Sequence, residues 1–567
     1  GAVGGGFWRE RSRRRARAWR AIMAWLDLLP WWALVALLLL RPVESLRLPV
    51  HRSAAPGRRL VRPLRSSERD ESKDPGGDFD PRCSGAWRLH RLGHLGDSLD
   101  SLESCPSPLL SSRQSLVAHN FFVTEGDVVF KSVVANAFHS DSEAPVCFHC
   151  AGPRVESFFQ ADSSKAAIVT CGGICPGLNT VVRELVLCLW HQYGVRDIWG
   201  IPQGYQGFYS GKPWLPLDPA AVDQIHTLGG TVLGTSRGGH DTEKIVDALE
   251  EKGVNLVFII GGDGTLRGAQ KVADECTRRK LPIAVAGVPK TVDNDIPIID
   301  KSFGFETAVA EAQLAITAAH VEASSFPNGI GIVQLMGRNS GFIALHSTLG
   351  SRDVDCVLIP EIDFELEGEG GLLSFLEDKL LAEGHVLLVV AEGSGQAAVQ
   401  REANDLTVGA TDASGNVLLS DVGSWLKHKI ADHFKDHPNP RLSPVSLKYI
   451  DPTYMVRSVK ANAADNVYCT ELAHSAVHGS FAGYSGFMVG PINSHYALIP
   501  LRLIADRTNV VSVNDRVWAE VLSSTGQPDF AANDLMECEI ESDTSYGGCT
   551  VDRRFVGGVP PPGRSKP

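Results

Sequence analysis

The chain has 567 residues and a formal net charge of -12 at pH 7, which argues against a general nucleic-acid-binding protein because such proteins are normally basic. Its 43% apolar and 21% charged residues are ordinary for a soluble protein that holds two or three domains. The 12 cysteines follow no disulfide-like spacing, which predicts reduced thiols in an intracellular protein.

The first part of the chain lacks the pattern of a folded domain. Residues 1–20 are rich in arginine and poor in acid, and Met23 is a candidate initiator, so a targeting presequence, a signal or anchor segment and a gene-model artefact all stay open. The apolar run at 31–40 is shorter than the roughly 20 residues of a membrane span, so no stable membrane association is expected. The composition predicts a mostly disordered N-terminal extension over residues 1–115.

An ordered arm is predicted over residues 116–165, packing on the core. Short strands are expected at 121–123 and 128–130. Cys147 and Cys150 form a CxxC pair without a clear second pair, so a loop with thiols is favoured over a zinc site.

The predicted core opens with a strand at 166–170, a glycine-rich turn at 171–179 and a helix from Thr180 to about residue 191. Free backbone N–H groups and the helix dipole make such a turn an anion site, with Gly173 as the candidate contact. Close packing of the helix on the strand explains the glycines equally well. No Gly-Lys-Ser/Thr follows, so this is not a Walker loop.

The stretch 257–295 has the pattern of a strand–helix–strand unit. An apolar run ends in Gly-Gly-Asp-Gly-Thr, and after a helical pattern a second apolar run ends in an acidic turn at 289–295. Because parallel strands bring their carboxyl ends to one edge of a sheet, the two turns should face each other. Glycine N–H groups suit phosphate and carboxylates suit Mg²⁺. The candidate residues are Gly262, Asp263, Gly264, Thr265, Lys290, Thr291, Val292, Asp293 and Asp295.

Three further motifs follow in the second half of the core. A helix at 305–322 and a strand at 330–335 precede a Met-Gly-Arg sequence, whose guanidinium is a planar fork that fits a phosphate dianion. A strand at 385–390 runs into a glutamate that is either a ligand or a strand-end cap, and a mixed polar segment lies at 448–458. These segments contain Met336, Gly337, Arg338, Glu392, Lys448, Tyr454, Met455, Val456 and Arg457, which are candidates through the family resemblance described next.

Together these motifs resemble the phosphofructokinase family, in particular its long plant and trypanosome ATP-dependent type. Gly-Gly-Asp-Gly-Thr at 261–265 and Pro-Lys-Thr-Val-Asp-Asn-Asp at 289–295 carry the resemblance, which extends over residues 166–526. It implies an α/β fold of two doubly wound, Rossmann-like lobes with a cleft between them. The implied bounds are 166–303 and 458–530 for a nucleotide-binding lobe, 304–457 for a sugar-phosphate lobe and 531–567 for a C-terminal tail.

The resemblance implies a nucleotide site on the first lobe. Arg237 in the glycine-rich loop 229–241 would contact the nucleotide phosphates together with Gly238, although without the resemblance it is best interpreted as a solvated surface arginine. Asp263 would hold Mg²⁺. On the sugar side, the 6-phosphate of fructose 6-phosphate would contact Arg457 together with the arginine of the Met-Gly-Arg motif.

Other sugar-side positions depart from the bacterial pattern. Glu392 matches a family carboxylate that binds sugar hydroxyls, whereas Lys448 and Tyr454 fall near the positions where bacterial members place Arg and His. Lys448 is a further candidate anchor for the 6-phosphate. The resemblance implies a homo-oligomer, dimer or tetramer. Residues 325–330, however, lack the arginine that bacterial members lend to a neighbouring subunit.

The implied reaction is the transfer of the γ-phosphoryl group of ATP to the 1-hydroxyl of fructose 6-phosphate, a step of glycolysis. Such a transfer needs positioning, charge neutralisation and a base. Asp293 is the predicted base. Thr291, Lys290 and Asp295 would contact the transferred group or its metal.

The phosphoryl donor is predicted from one glycine. At Lys290 the chain resembles pyrophosphate-dependent members of the family. Those members, however, carry Asp in place of Gly264, and a carboxylate at that position would occupy the space of the α-phosphate of ATP. ATP is therefore expected. The alternatives are a pyrophosphate-dependent enzyme, another kinase with this glycine turn acting on NAD or a lipid, and a non-catalytic nucleotide-binding regulatory subunit. The cytoplasm is the expected compartment, with import into the plastid stroma through the basic start as the alternative.

Overall fold

The structure, a computed structural model, describes residues 79–80, 87–99, 102–112, 120–134, 144–403, 418–504 and 508–530. Most of the predicted N-terminal extension, including Met23, and all of the predicted tail lie outside these residues. In the described part of the chain, no helix combines the length and the apolar character that crossing a bilayer requires.

The described residues form eighteen strands and eleven α-helices. The strands are β1 (Arg88–Leu89), β2 (Gly93–His94), β3 (Cys105–Pro106), β4 (Val128–Phe130), β5 (Val146–Cys150), β6 (Glu156–Ser157), β7 (Lys165–Thr170), β8 (Asp197–Ile201), β9 (Leu215–Pro216), β10 (Leu256–Gly261), β11 (Ala284–Pro289), β12 (Gly329–Leu335), β13 (Cys356–Leu358), β14 (His385–Ala391), β15 (Ser446–Ile450), β16 (Tyr484–Ser485), β17 (Phe487–Ile492) and β18 (His495–Pro500). The helices are α1 (Leu178–Leu187), α2 (Thr242–Lys252), α3 (Asp263–Arg278), α4 (Phe305–Ser324), α5 (Phe342–Ser351), α6 (Leu372–Glu383), α7 (Gln396–Ala403), α8 (Val422–Lys435), α9 (Thr453–Arg457), α10 (Ala463–Phe481) and α11 (Arg516–Thr525).

The larger sheet has ten strands in the order β1-β5-β18-β17-β11-β10-β7-β8-β9, with β4 paired to β5. Its central strands β17, β11, β10, β7 and β8 are parallel. All six residues of β10 are buried because helices cover both faces, as in a doubly wound fold. Successive side chains point to opposite faces: Phe258 packs into the cluster with α1 and α10, and Val257 into the cluster with α2 and α3.

The smaller sheet has four parallel strands in the order β13-β14-β12-β15. The chain enters it through α4 after β11, and returns to the larger sheet through α10 and β17. We call the larger sheet with its helices the first lobe, and the smaller sheet with its helices the second lobe. The predicted α/β fold of two doubly wound lobes is confirmed.

Residues 87–99 and 102–112, which lie in the extension that was expected to be mostly disordered, differ from that expectation. Strand β1 pairs in parallel with β5, and β2 pairs with β16, so both join the folded core. Leu89, Leu92 and Leu109 are buried. The prediction failed because the polar composition hid a few apolar residues whose spacing serves tertiary packing rather than a regular helix or strand.

The arm also departs from its prediction in two places. Strand β4 forms as expected, but residues 121–123 are irregular. Cys147 and Cys150 lie on strand β5 instead of a loop. Side chains three residues apart on a strand point to opposite faces, so these two thiols do not share a metal site.

Candidate active site

The two predicted turns meet at the carboxyl edge of the larger sheet. Strands β10 and β11 pair in parallel, and their last residues, Gly261 and Pro289, are partners in the register. The Lys290 backbone N–H donates to the Gly261 carbonyl oxygen at 3.0 Å. The glycine turn and the acidic turn are therefore neighbours, as the strand–helix–strand pattern predicted.

A cavity of about 720 Å³ opens beside this edge and reaches the second lobe. Sixteen predicted residues line it: Gly173, Arg237, Gly238, Gly262, Asp263, Gly264, Thr265, Lys290, Thr291, Val292, Asp293, Asp295, Met336, Arg338, Glu392 and Arg457. Most of the residues predicted to contact the nucleotide or the sugar phosphate therefore line the same cavity.

Three carboxylates stand close enough to perturb one another. Burial raises the pKa of Asp263 to about 6; the Asp295 charge adds to the rise and Arg267 opposes it. Burial also raises the pKa of Asp293, with further increases from Asp295 and Glu392. Like charges that share a poorly solvated space resist ionising together, so this group favours a bound cation.

Basic groups offset part of this negative charge. Lys290 is buried, which lowers its pKa, while the neighbouring thiols and the Asp293 and Asp295 carboxylates oppose that shift. Arg338 is the largest of the charges that lower the pKa of Asp293. The cavity therefore holds basic side chains beside the acidic turn, and a phosphate group could bind to these side chains.

Two carboxylate oxygens in the cavity have the surroundings expected of ligands to a divalent cation. Asp263 Oδ1 and Asp293 Oδ1 are buried and have no hydrogen-bond partner among the described residues. A buried acceptor without a partner is costly unless a ligand satisfies it. Carboxylate oxygens are the ligands that Mg²⁺ takes, and it needs only one or two from the protein. The residues present fit the ion.

The glycine turn leads straight into a helix. Helix α3 begins at Asp263, so its free N–H groups and the positive end of its dipole face the cavity edge. A Cβ on Gly264 would meet only Arg267 Nη2, at 3.9 Å, so the space over this glycine is open. Gly173 is similarly open, because a Cβ added there would have no atom within 4 Å.

Hydrogen bonds connect the loop after β12 to the acidic turn and to the loop after β14. The Ser340 hydroxyl donates to the Asp293 carbonyl oxygen at 3.1 Å. The Glu392 N–H donates to the Leu335 carbonyl oxygen at 2.9 Å, and the Gly393 N–H donates to that of Gly337 at 3.0 Å. Gly337 does not line the cavity; its carbonyl oxygen accepts the hydrogen bond that holds the two loops together.

Four other predicted residues lie away from the cavity. Tyr454 and Met455 are 73% and 59% exposed on the outer face of α9, and Val456 is fully buried in the core. Lys448 pairs with Glu322 at 3.5 Å. Of the motif 454–457, only the arginine lines the cavity of this chain; its guanidinium carbon lies 5.1 Å from the centroid of the exposed Tyr454 ring.

Several lining residues were missed by the sequence prediction. Arg267 follows Asp263 by four residues on α3, so the helical period could have placed both on one face. His240 lies in the glycine-rich loop 229–241, from which only Arg237 and Gly238 were predicted. Tyr205, whose hydroxyl donates to the Thr265 carbonyl oxygen at 2.7 Å, carried no motif signal.

Outside the cavity, the described residues include a cluster of Glu377, His433 and His437. Glu377 Oε1 lies 2.7 Å from His433 Nε2 and 3.4 Å from His437 Nε2. The Asn439 N–H donates to His437 Nδ1 at 3.2 Å, which places the proton of a neutral ring on Nε2. Metal ligation by Nε2 needs the other tautomer, so these contacts indicate a hydrogen-bonded cluster.

Comparison with known proteins identifies the family of the chain. The family model described as Phosphofructokinase matches residues 165–480. The chain is 53% identical over 453 residues to ATP-dependent 6-phosphofructokinase 4, chloroplastic, of Arabidopsis thaliana, covering 80% of this chain and 84% of that protein. It is 53% identical over 446 residues to ATP-dependent 6-phosphofructokinase 7 of the same plant, covering 79% and 90%.

Solved structures share the fold. The crystal structure of a pyrophosphate-dependent phosphofructokinase from Marinobacter aquaeolei superposes with a TM-score of 0.52 at 18% identity, covering 64% of this chain and 91% of that one. At this identity the likeness concerns the fold alone, whereas the family model and the plant relatives match in sequence. This chain belongs to the phosphofructokinase family.

Proposed function

We propose that this chain transfers the γ-phosphoryl group of ATP to the 1-hydroxyl of fructose 6-phosphate, giving fructose 1,6-bisphosphate and ADP. One observation carries the proposal: a single cavity holds the glycine turn at 262–265, the acidic turn at 290–295 and the sugar-side Arg338 and Glu392. A phosphate donor, a base and an anchor for a second anionic substrate are the parts that phosphoryl transfer needs. The plant relatives carry this activity in their names.

Asp293 is the proposed general base. Its Oδ1 atom is buried without a partner, and its raised pKa makes it a stronger base than an ordinary carboxylate once it is deprotonated. It would accept the proton of the sugar 1-hydroxyl as that oxygen bonds to the transferred phosphorus. Lys290 and Thr291 would donate hydrogen bonds to the oxygens of the transferred group.

Mg²⁺ is the proposed metal, with Asp263 as its protein ligand and Asp295 holding one of its waters. When bound, the ion would neutralise charge on the oxygens of the transferred phosphate. Arg237, Gly238 and the N–H groups at the start of α3 would hold the rest of the nucleotide phosphates. Arg338 and Arg457 would bind the sugar 6-phosphate, so that remote binding energy orients the reacting hydroxyl.

Pyrophosphate is the second candidate donor, because at Lys290 this chain resembles the pyrophosphate-dependent members of the family. The open space over Gly264 supports ATP, whose α-phosphate needs room that a carboxylate at this position would deny. The assay that separates the donors measures formation of fructose 1,6-bisphosphate with Mg²⁺ and either ATP or pyrophosphate. We expect turnover with ATP. Equal or faster turnover with pyrophosphate would refute the donor assignment.

The same assay separates an enzyme from a non-catalytic nucleotide-binding subunit. Turnover with neither donor, combined with tight ATP binding, would identify a regulatory subunit. We assign the nucleotide to the first lobe, over residues 166–303 and 458–504, and the sugar phosphate mainly to residues 304–457. The predicted bound of 530 is too long, because the Val357 N–H of the second lobe donates to Gln527 Oε1 at 2.7 Å. A homo-oligomer is proposed from the family, and sedimentation analysis decides between monomer, dimer and tetramer.

The proposed compartment is the cytoplasm, with the plastid stroma as the alternative. One plant relative is named as chloroplastic, and the other carries no such word. Imaging of the full chain fused to a fluorescent protein at its C-terminus distinguishes the two compartments.

A further inference from the structure

The last described segment of the chain contacts the acidic turn. Thr508 lines the cavity, and the backbone N–H of Asn509 donates to the Asp295 carbonyl oxygen at 2.8 Å. Asn509 Nδ2 also reaches the Asn294 carbonyl oxygen at 3.4 Å, a weaker contact. Residues 508–511 therefore hold the backbone of the turn that carries the proposed base, although no predicted motif includes them.

One carboxylate joins the same segment to the sugar-side loop. The Val511 N–H donates to Glu361 Oε1 at 2.8 Å, and the Gly341 N–H donates to both oxygens of that carboxylate at 3.0 and 3.1 Å. Gly341 ends the loop 337–341 that carries Arg338. A Cβ on Gly341 would lie 2.4 Å from the Ile359 side chain, so the loop reaches Glu361 only because this residue is glycine.

Another contact closes these interactions into a ring. The buried Ser340 hydroxyl, next to Gly341, donates to the Asp293 carbonyl oxygen at 3.1 Å. The acidic turn, the loop 337–341, Glu361 and the segment 508–511 thus form one closed circuit of hydrogen bonds. Each segment of such a circuit is held on two sides, so loss of one contact weakens the restraint on both of the segments that it joined.

We propose that Glu361 is a positioning residue, which with the segment 508–511 sets the spacing between the acidic turn and the Arg338 loop. Glu361 contacts two segments at once, and hydrogen bonds to a carboxylate are shorter and stronger than neutral ones. Loss of this carboxylate lets the loop drift from the turn. The inference rests on the proposed function, because Arg338 is taken to bind the sugar 6-phosphate.

Steady-state kinetics of two variants test the role. Glu361→Gln keeps the shape but turns one acceptor oxygen into an NH₂ group facing the Gly341 N–H, and Glu361→Ala removes both acceptors. Because small displacements of a substrate-positioning loop cost up to about 100-fold in rate, we expect the KM for fructose 6-phosphate to rise about 3-fold to 10-fold in Glu361→Gln and further in Glu361→Ala. The KM for ATP should stay within about 2-fold of the original value.

The matched control is Glu365→Gln, which removes the charge of an exposed glutamate in the same segment and should leave both KM values unchanged. A purely structural role for Glu361 would instead lower the urea midpoint and affect both substrates alike. Equal changes in the two KM values, or no change in either Glu361 variant, overturn the proposal.

Amide hydrogen exchange gives a readout that needs no turnover. In the unliganded chain, the Gly341 and Val511 amides should be protected, and Glu361→Ala should speed exchange at both while strand β10 keeps its protection. If the original chain does not phosphorylate fructose 6-phosphate, the proposed function fails, and exchange at these two amides still decides whether Glu361 holds them. Unchanged exchange at both amides rejects the positioning role.

Discussion

Asp293 is the residue on which the proposed chemistry depends most directly. Burial and the Asp295 and Glu392 carboxylates raise its pKa, whereas Arg338 and Lys290 lower it. A general base must be deprotonated to act, so these opposing charges decide the pH range of activity. In the proposed mechanism, the negative neighbours would make Asp293 a stronger base, and the positive neighbours would limit the rise of its pKa.

The first prediction concerns this base and its pH dependence. Asp293→Asn should lower kcat by about 10²-fold to 10⁴-fold, because an amide cannot accept the hydroxyl proton. In the original chain, kcat/KM for fructose 6-phosphate should rise with pH as Asp293 loses its proton. Lys290→Met removes a charge that lowers the pKa of Asp293, so this rise should move to higher pH.

Lys427→Met, at an exposed position on α8, is the control and should leave the pH profile unchanged. Full activity of Asp293→Asn would contradict the base assignment. An unmoved profile in Lys290→Met would show that Lys290 does not influence the base.

A second prediction at this scale concerns donor choice. Gly264→Asp adds a carboxylate to the open space over the glycine turn, and juxtaposed like charges cost several kcal/mol. We expect kcat/KM for ATP to fall roughly 100-fold, with a smaller effect on any activity with pyrophosphate. Gly264→Ala is the matched control: its Cβ would meet only Arg267 at 3.9 Å, so ATP use should fall far less. Equal losses in both variants would point to a steric cause.

At the scale of secondary-structure elements, a buried carboxylate connects the two places where the chain passes between the lobes. Asp465, in the first turn of α10, accepts hydrogen bonds from the Gly304 N–H at 2.9 Å and from the Thr307 N–H at 2.7 Å. The Thr307 hydroxyl donates to it as well, at 2.6 Å. Asp465 thus satisfies the free N–H groups at the start of α4, the first helix of the second lobe.

The third prediction follows from this contact. Asp465→Ala leaves three donors buried without an acceptor, and the free energy of unfolding should fall by about 3 kcal/mol. Glu471→Ala, at an exposed position on the same helix, should change it by less than about 0.5 kcal/mol. Urea titration measures both values. Similar small effects in the two variants would mean that water reaches the start of α4.

At the scale of the whole molecule, a short strand near residue 88 forms one edge of the larger sheet. Strand β1 pairs with β5, and Leu89, Leu92, Leu95 and Leu109 are buried in the core of the first lobe. Fully burying one leucine contributes about 1.5–3 kcal/mol. The site residues all lie after residue 170, so these N-terminal contacts stabilise the lobe without touching substrate.

The fourth prediction compares two truncations. Deletion of residues 1–78 should leave kcat and the urea midpoint close to those of the full chain. Deletion of residues 1–112 removes the four leucines and should lower the free energy of unfolding by at least about 5 kcal/mol. Equal midpoints for both truncations would show that β1 and its neighbours are dispensable.

The sequence by itself determined the elements whose signals are local. Apolar runs of strand length, glycine turns and helical spacing located β7, β10, β11, β12 and β14, because strand and turn formation depend on neighbouring residues. Once strands β10 and β11 were taken as parallel, the meeting of Asp263 with the acidic turn followed from the geometry of such a unit. The family resemblance then supplied the sugar-side arginines.

Only the tertiary structure decided which other residues reach the site. Glu361 and Val511 lie 150 residues apart in the sequence, and a hydrogen bond of the folded chain joins them. Asn509, in the same segment as Val511, donates to the Asp295 carbonyl oxygen. Tyr454 and Arg457 belong to one motif and lie side by side, with the guanidinium carbon 5.1 Å from the ring centroid, yet only Arg457 lines the cavity. Long-range contacts of this kind leave no periodic signal, because the fold as a whole brings the partners together.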